Sequence, residues 1–262
     1  MARLYMLLAK VLFTPVCMCA ATLFARRFGP AAGGIFTALP LLSGPISFFL
    51  YLEQGRDFAI HALHSAMFGY MAIVCCIPFF LLAAARTRKW AFPVLAGTGA
   101  YVFFAWLLNG FQGGATRDML LCLGALGAGF LLMPHPQNPR GFYIPRWWDL
   151  PLRMVTAAVI VLGVTGLAEI LGPAWSGYVS TYPSMSFLMA TFTFAQSGYP
   201  AAVFYWRGLI AGLSGSVLFF YTVIITLPFL PAWLAYTLAV FINLLANGFL
   251  FWIAIRTAKR PG

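Results

Sequence analysis

The sequence predicts an all-α membrane protein: a polytopic transmembrane helix bundle of about nine spans, built from two inverted four-helix repeats joined by a central span. Three observations predict this fold. The composition is too poor in charge for a water-soluble surface, apolar runs of bilayer length follow one another along the chain, and two stretches of sequence match at a fixed offset.

The composition indicates that lipid is the main solvent of this protein. Hydrophobic residues make up 62% of the 262 residues and charged residues only 8%, whereas soluble domains carry roughly 25% charged residues. The net charge of +11 accompanies no nucleic-acid-binding motif, so we expect no nucleic acid partner. The five cysteines all lie in apolar runs and are interpreted as small buried hydrophobic residues.

A membrane-spanning helix needs about 20 mostly apolar residues. The N-terminal run lacks a clean signal-peptidase site and is kept as the first span. The predicted spans are 4–25, 32–52, 58–85, 90–109, 117–133, 152–171, 174–195, 201–228 and 231–255.

Basic residues orient these spans, because Lys and Arg accumulate in cytoplasmic loops. Eleven fall on one side of the predicted topology: Arg26, Arg27, Arg86, Arg88, Lys89, Arg140, Arg146, Arg153, Arg256, Lys259 and Arg260. Four fall on the other: Arg3, Lys10, Arg56 and Arg117. The sequence therefore predicts a multi-pass protein of a bacterial cytoplasmic (inner) membrane, with the N-terminus outside and the C-terminus in the cytoplasm.

An internal repeat divides the chain. At an offset of 143, eight of the 27 positions from Gly29 to Gly55 are identical, including Gly-Pro at 29–30 and 172–173. Internal symmetry of this kind is common in transporters. We therefore predict a first transmembrane repeat at 1–109, a linking span and cytoplasmic connector at 110–146, and a second repeat at 147–262.

The second repeat should be inverted, because one unpaired span separates the copies. Arg26 and Arg27 on the predicted inside match Glu169 and Ile170 on the predicted outside, as the distribution of positive charge requires. In architecture the chain resembles small inverted-repeat transporters of the drug/metabolite type. The resemblance implies one site that faces each side in turn, and it carries over no residue roles, since no diagnostic motif of that superfamily is present.

Prolines interrupt the matched spans two and seven. Pro40 and Pro183 fall at the same register, with Ser43 and Ser186 matched beside them and Ser184 next to Pro183. Proline removes a backbone hydrogen bond, and helix breaks at matched positions indicate a substrate site near the membrane centre. These five residues are predicted to bind substrate. The alternative is that the prolines only kink helices for packing.

Four ionisable residues form a stripe at the outer end of span three: Glu53, Asp57, His61 and His64. Their spacings of 4, 4 and 3 place them on one helical face, where carboxylates and imidazoles could relay protons. A divalent metal or a simple interfacial helix end are the alternatives. The second copy does not preserve the stripe, since its matched residues are Gln196, Pro200, Phe204 and Arg207.

Lys10 and Arg153 also match in the repeat, near the starts of spans one and six. They are predicted to bind an anionic group of the substrate from opposite sides. The alternative is that both side chains extend to the lipid headgroups.

Catalysis is not expected. Gly212-Leu213-Ser214-Gly215 matches the string of rhomboid-like serine proteases, but every histidine precedes Ser214 in the chain, whereas those proteases need a later one. The sequence has only five acidic residues, and no nucleotide-binding loop is present. We expect no cofactor and no metal.

The predicted function is that of a secondary transporter, a permease for a small organic or amphipathic solute that could be anionic. Coupling to protons is one mechanism that the stripe allows. A lipid or lipid-carrier translocase is the alternative, and a non-transporting membrane scaffold subunit is the third. The expected partners are the lipid bilayer and a small-molecule or lipid substrate, and a homodimer would be compatible with the sequence.

Overall fold

A computed structural model describes residues 16–41, 43–87, 89–111, 113–135, 150–156, 159, 178 and 181–258, with the backbone alone at 53 and 254–258. This part of the chain is helical and contains no strand. The helices are α1 (16–28), α2 (Pro30–Thr37), α3 (Ser43–Gln54), α4 (Arg56–Arg86), α5 (Ala91–Leu108), α6 (Ala115–Leu132), α7 (150–156), α8 (Ser184–Thr226) and α9 (Ala232–Ala258). The prediction of an all-α protein is confirmed.

Five of the described helices, α4, α5, α6, α8 and α9, are long and apolar enough to cross a membrane. The predicted span 32–52, in contrast, is divided into α2 and α3, of 8 and 12 residues. Pro40 lies in the non-helical segment between them and not inside a helix, because proline cannot continue the hydrogen-bond ladder.

Helices α4 and α8 form the centre of the bundle. In their most apolar stretches 67% and 72% of the residues are buried, against 28%, 17% and 28% in α5, α6 and α9. Large aromatic side chains such as Phe68, Phe80 and Trp206 fill the core between the two central helices. The outer helices expose Trp106, Leu131 and similar side chains, as lipid-facing surfaces do.

Helix α4 runs in the same direction as α6. Near its start, His64 Nδ1 lies 2.7 Å from Asp118 Oδ2 at the start of α6. One turn on, Cys122 Sγ donates to Met67 O at 3.3 Å. Successive contacts between α4 and α6 therefore involve later residues of both helices, as in a parallel pair.

Helix α8 runs in the opposite direction to α6. Arg207 donates to Met133 O at 3.1 Å, just after the end of α6, and its guanidinium lies 4.3 Å from the Phe130 ring centroid. Further along α8, Tyr221 OH meets Thr116 Oγ1 at 3.4 Å, close to the start of α6. Since α4 and α8 run oppositely along α6, they are antiparallel to each other.

Two matched glycines interrupt the helices. Gly55 separates α3 from α4 with φ 87° and ψ 177°, and Gly198 divides α8 with φ 82° and ψ −177°. This region of backbone space is essentially reserved for glycine. The same local break therefore occurs at two glycines that stand 143 residues apart, the offset of the predicted repeat.

Glycines of the two central helices also permit close approach to the helix breaks. A Cβ on Gly69 of α4 would meet Thr181, and a Cβ on Gly212 of α8 would meet Ala38. At the offset of 143, Gly69 matches Gly212 and Ala38 matches Thr181. Each central helix thus presents a glycine to one helix break.

Candidate functional site

Two helix breaks meet at one cavity of about 70 Å³. The first break is the segment between α2 and α3, and the second precedes α8 at 182–183. Helices α4 and α8 contribute Tyr70 and Leu213 to the wall. The residues of the two breaks that line the cavity are Phe36, Thr37, Ala38, Leu39, Leu41 and Ser43, and Thr181, Tyr182, Pro183, Ser184, Met185 and Ser186.

Hydroxyl groups of neighbouring helices hold the first break. Ser216 of α8 donates a hydrogen bond to the carbonyl of Ala38, an acceptor near the end of α2. Ser43 Oγ is hydrogen bonded to Tyr70 OH at 3.2 Å, and Thr37 Oγ1 to Tyr205 OH at 2.7 Å. Backbone groups at membrane depth need such partners, which the core helices supply.

Helix α5 holds the second break in a similar way. Tyr101 OH donates to Tyr178 O at 2.8 Å and lies 3.3 Å from Thr181 Oγ1. Thr98 Oγ1 is hydrogen bonded to Tyr182 OH at 2.9 Å. The cavity wall is therefore rich in groups that both donate and accept hydrogen bonds, and α5 fixes one side of it.

The substrate-binding residues predicted at the breaks come together in the structure. Ser43, Pro183, Ser184 and Ser186 all line the cavity. Pro40 does not, although its neighbours Leu39 and Leu41 do, and Pro40 instead faces a second hollow beside α9. Whether these residues bind a solute stays a prediction.

Arg153 lies on α7 and is 4% exposed. Its Nη2 donates to Gln196 Oε1 at 2.6 Å, and its guanidinium lies 4.4 Å from the centre of the Phe192 ring. Nη1 contacts Met189 Sδ at 3.3 Å, one turn along α8 from Ser186. The side chain is thus directed into the protein rather than to the headgroups. Its predicted partner, Lys10, lies outside the described residues.

The ionisable stripe is divided by burial. Asp57 and His61 are exposed, and Asp57 faces Arg56 Nε at 3.8 Å. His64 is 8% exposed and turns towards α6. The side chain of Glu53 is outside the described part of the chain, within which no three His, Cys, Asp or Glu side chains gather as a metal site.

Asp118 is the partner of His64 and was missed by sequence analysis. Its carboxylate is fully buried and also accepts the Gly113 amide at 3.1 Å and Arg117 Nε at 3.3 Å. A carboxylate in the first turn is stabilised by the helix dipole. The available signal was an acidic residue inside a predicted apolar span, where ionisable residues are functional hypotheses by default.

Two asparagines of α9 were also missed. Asn243 and Asn247 are 3% and 4% exposed, and neither side-chain Nδ2 has a hydrogen-bond partner among the residues that the structure describes. Their spacing of four places them on one face of an otherwise apolar helix. That spacing was the signal in the sequence.

Comparison with protein families, curated proteins and solved structures gives no match for this chain. The class of protein therefore follows from the fold and the site alone. It is an all-helical, membrane-embedded protein with a hydroxyl-lined cavity where two broken helices meet.

Proposed function

We propose that the protein is a secondary transporter whose two inverted repeats enclose a site for a small organic or amphipathic solute. The observation that carries the proposal is the meeting of two helix breaks, at matched positions of the two copies, in one hydroxyl-lined cavity. Broken helices at the repeat interface are the usual substrate site of inverted-repeat transporters.

Contacts with α6 support the inversion. His64 and Arg207 are matched positions, yet His64 contacts the start of α6 and Arg207 its end. An α-helix of 18 residues is about 27 Å long, so its ends lie at opposite membrane faces. Matched residues at opposite depths are what a two-fold rotation about an axis in the membrane plane produces.

The reciprocal glycine contacts support the same axis. Gly69 approaches Thr181 as Gly212 approaches Ala38, and Met67 contacts Cys122 as its match Ile210 approaches Gly129. A two-fold axis would therefore cross α6 between Cys122 and Gly129. The central cavity would lie on the interface that this axis relates.

Alternating access would use the glycine breaks. A hollow of about 470 Å³ borders Gly55, and one of about 740 Å³ borders Gly198, at matched positions of the two copies. Both are larger than the central cavity of about 70 Å³. We propose that bending at either glycine joins one hollow to the cavity, so that the site opens to one side at a time.

The cavity favours a polar group of the solute, and an anionic group would suit it. Helices α3 and α8 both begin there, at Ser43 and Ser184. Helix N-termini carry partial positive charge and offer unpaired amides to anions. Arg153 of α7 contacts Met189, which lies one turn along α8 from Ser186. It would add a positive charge next to the site.

For coupling to protons we propose the His64–Asp118 pair in place of the full stripe. The pair is buried, His64 Nδ1 lies 2.7 Å from Asp118 Oδ2, and histidine is a common proton shuttle. Gly69, little more than a turn from His64 on α4, touches Thr181 in the cavity wall. A change of charge at the pair could therefore act on the position of the second break.

Each of two other functions is supported by one specific observation. Arg153, buried at the edge of the site, suits the phosphate of a lipid or lipid carrier, which would make the protein a translocase. The apolar outer faces of α5, α6 and α9 suit a scaffold that only holds other membrane subunits. Uptake and headgroup exchange, measured in the same vesicles, separate the three functions.

The decisive experiment reconstitutes the purified protein in proteoliposomes and measures uptake of labelled solutes of increasing chain length. Ser43→Ala with Ser186→Ala should lower uptake by about tenfold or more, since each lost hydrogen bond is worth about 1 kcal/mol. Ser214→Ala is the matched control, because Ser214 Oγ bonds only one turn back, to Ala211 O. Normal uptake by the double variant would mean that the substrate site does not lie at the helix breaks.

A further inference from the structure

A second hollow, of about 510 Å³, lies between α3, α8 and α9. We call it the α9 groove, and its wall includes Pro40, Gly44, Phe49, Trp233, Val240 and Leu244. Trp233 and Leu244 are themselves exposed on the lipid-facing side. Leu39 and Leu41 line both this groove and the central cavity, so only the first helix break separates the two spaces.

Comparison of the two copies shows that this space need not be open. In the second copy the matched position of Gly44 is Phe187, whose ring contacts Gly97. Gly97 in turn matches Val240 of the groove wall. The second copy therefore fills the space with an aromatic ring against a glycine, whereas the first copy has the small residue at the break, next to the Phe219 ring of α8, and the groove stays open.

One polar group lies in this apolar wall. Asn243 lines the groove, is 3% exposed, and has an Nδ2 without a partner in the described part of the chain. It stands eleven residues after the start of α9, about 16 Å along the helix and thus near the membrane centre. An unsatisfied amide there is costly, and a polar ligand group would satisfy it.

We propose that the α9 groove binds the alkyl chain of an amphipathic substrate that enters sideways from the bilayer. The chain would lie against Phe49 and Val240, and the polar group would reach Asn243 and the hydroxyls of the first break. A structural phospholipid keeps its headgroup at the membrane surface, about 15 Å from the centre, and could not reach Asn243. The proposal rests on the proposed function, because it takes the bound amphiphile to be the transported solute.

The test uses photolabelling in phosphatidylcholine vesicles. The probe is a long-chain fatty acid with a diazirine on its chain, added at low mole fraction, and labelled residues are mapped by mass spectrometry. We expect labelling at Val240 and Leu244 that excess unlabelled fatty acid suppresses. Labelling at Trp106, on the lipid-facing side of α5, should not be suppressed. A phosphatidylcholine carrying the same diazirine should label the groove less than the fatty acid does.

A pair of substitutions should close the groove as the second copy closes its own. Gly44→Phe with Val240→Gly reproduces the Phe187–Gly97 arrangement and should reduce suppressible labelling at Leu244 by about tenfold, the effect of 1.4 kcal/mol of lost binding. Gly99→Phe is the matched control, since a side chain there meets open space. That variant should label as the unchanged protein does.

Each outcome decides between the two proposals. Labelling that excess fatty acid does not suppress, or that the phospholipid probe equals, overturns the groove as a substrate site and assigns it to bulk lipid. Labelling that excess fatty acid suppresses, and that the groove-closing variant abolishes, supports the α9 groove as a substrate site. If that labelling is found while vesicles show no uptake, the groove binds an amphiphile and the transport function fails.

Discussion

Neutral hydroxyl groups, rather than charges, surround the cavity where the two breaks meet. Thr37, Ser43 and Thr181 can each rotate an O–H to donate or accept, so the wall can suit different orientations of one polar group. The charged residues lie further out, with Arg153 beyond one end of the site and Asp118 towards the start of α6. Solute binding and proton binding would then use separate side chains that act through packing.

The first prediction concerns Asp118. Asp118→Asn keeps the shape of the side chain and an acceptor for Gly113 but removes the negative charge that faces His64. Uptake by this variant should no longer depend on pH, while the protein stays folded. The other charged group in contact with Asp118 is Arg117, whose Nε lies 3.3 Å from Oδ1. Uptake measured from about pH 5 to 8 gives the answer.

His61→Gln is the control, because His61 is exposed on the same helix and its loss should leave the pH profile unchanged. Asp118→Leu should in contrast destabilise the protein by about 3–5 kcal/mol, the effect of removing one partner of a buried ion pair. An unchanged pH profile for Asp118→Asn would mean that the His64–Asp118 pair has only a structural role.

At this scale the sequence predicted the residue types but not their partners. Ser43, Ser184 and Ser186 were identified because they stand beside prolines in a repeated register. The partnership of His64 with Asp118 spans 54 residues and depends on how α4 packs against α6. Asn243 is visible in the sequence through its spacing of four from Asn247 in an apolar run, but the groove beside it depends on the absence of a side chain at Gly44.

Among the helices that the structure describes, α2 crosses α8 with the two backbones in close contact. Gly34 approaches the backbone at Tyr205 and Leu209, and Gly208 approaches the carbonyl of Ala31. Contact between backbones leaves no room for a β-carbon on either helix. The short α2 is therefore held against the core by shape, as small residues permit in membrane helices.

The second prediction follows from this crossing. Gly208→Ala should lower the free energy of unfolding by about 3 kcal/mol, because the added methyl group would force two backbones apart. Gly248→Ala, on lipid-facing α9 with open space around it, is the control and should be neutral or slightly stabilising. Unfolding in mixed detergent micelles measures both, and equal stabilities would mean that α2 does not cross α8 there.

Helix ends were only partly predictable. The breaks near Pro40 and Pro183 follow from proline chemistry, which acts locally. The breaks at Gly55 and Gly198 are less visible, since the chain has 25 glycines and only packing decides which of them adopts positive φ. The predicted boundary between spans 174–195 and 201–228 coincides with one of these breaks, because the non-helical backbone of Gly198 separates two helical segments of α8.

For the whole molecule, orientation and symmetry make one joint prediction. Arg56 and Tyr199 are matched positions, and each borders its own hollow beside a glycine break. In a cysteine-free background, a membrane-impermeant maleimide should label Arg56→Cys in intact cells but Tyr199→Cys only after permeabilisation. The reason is that inverted copies place matched residues on opposite faces.

Labelling of both cysteines from the same side would contradict the inverted repeat. Reporter fusions provide the absolute direction. The C-terminal tail and residues 134–151 should be cytoplasmic and the N-terminus outside, as the eleven-to-four distribution of basic residues predicts. The sequence makes this prediction because a duplication would leave a register in the chain, while the crossing of helices depends on contacts that no register encodes.

The two attachments of α6 differ in a way that would give the proposed transporter a direction. Arg207 binds the backbone carbonyl of Met133 at one end of α6, whereas His64 binds the carboxylate of Asp118 at the other end, the pair proposed above to carry protons. Under the predicted topology only the outer solution controls the second attachment. The proposed transporter would then respond to acid on one side of the membrane only. Acid outside should change solute influx and efflux unequally, and acid inside should change neither. Fluxes measured under opposite imposed pH gradients test this asymmetry.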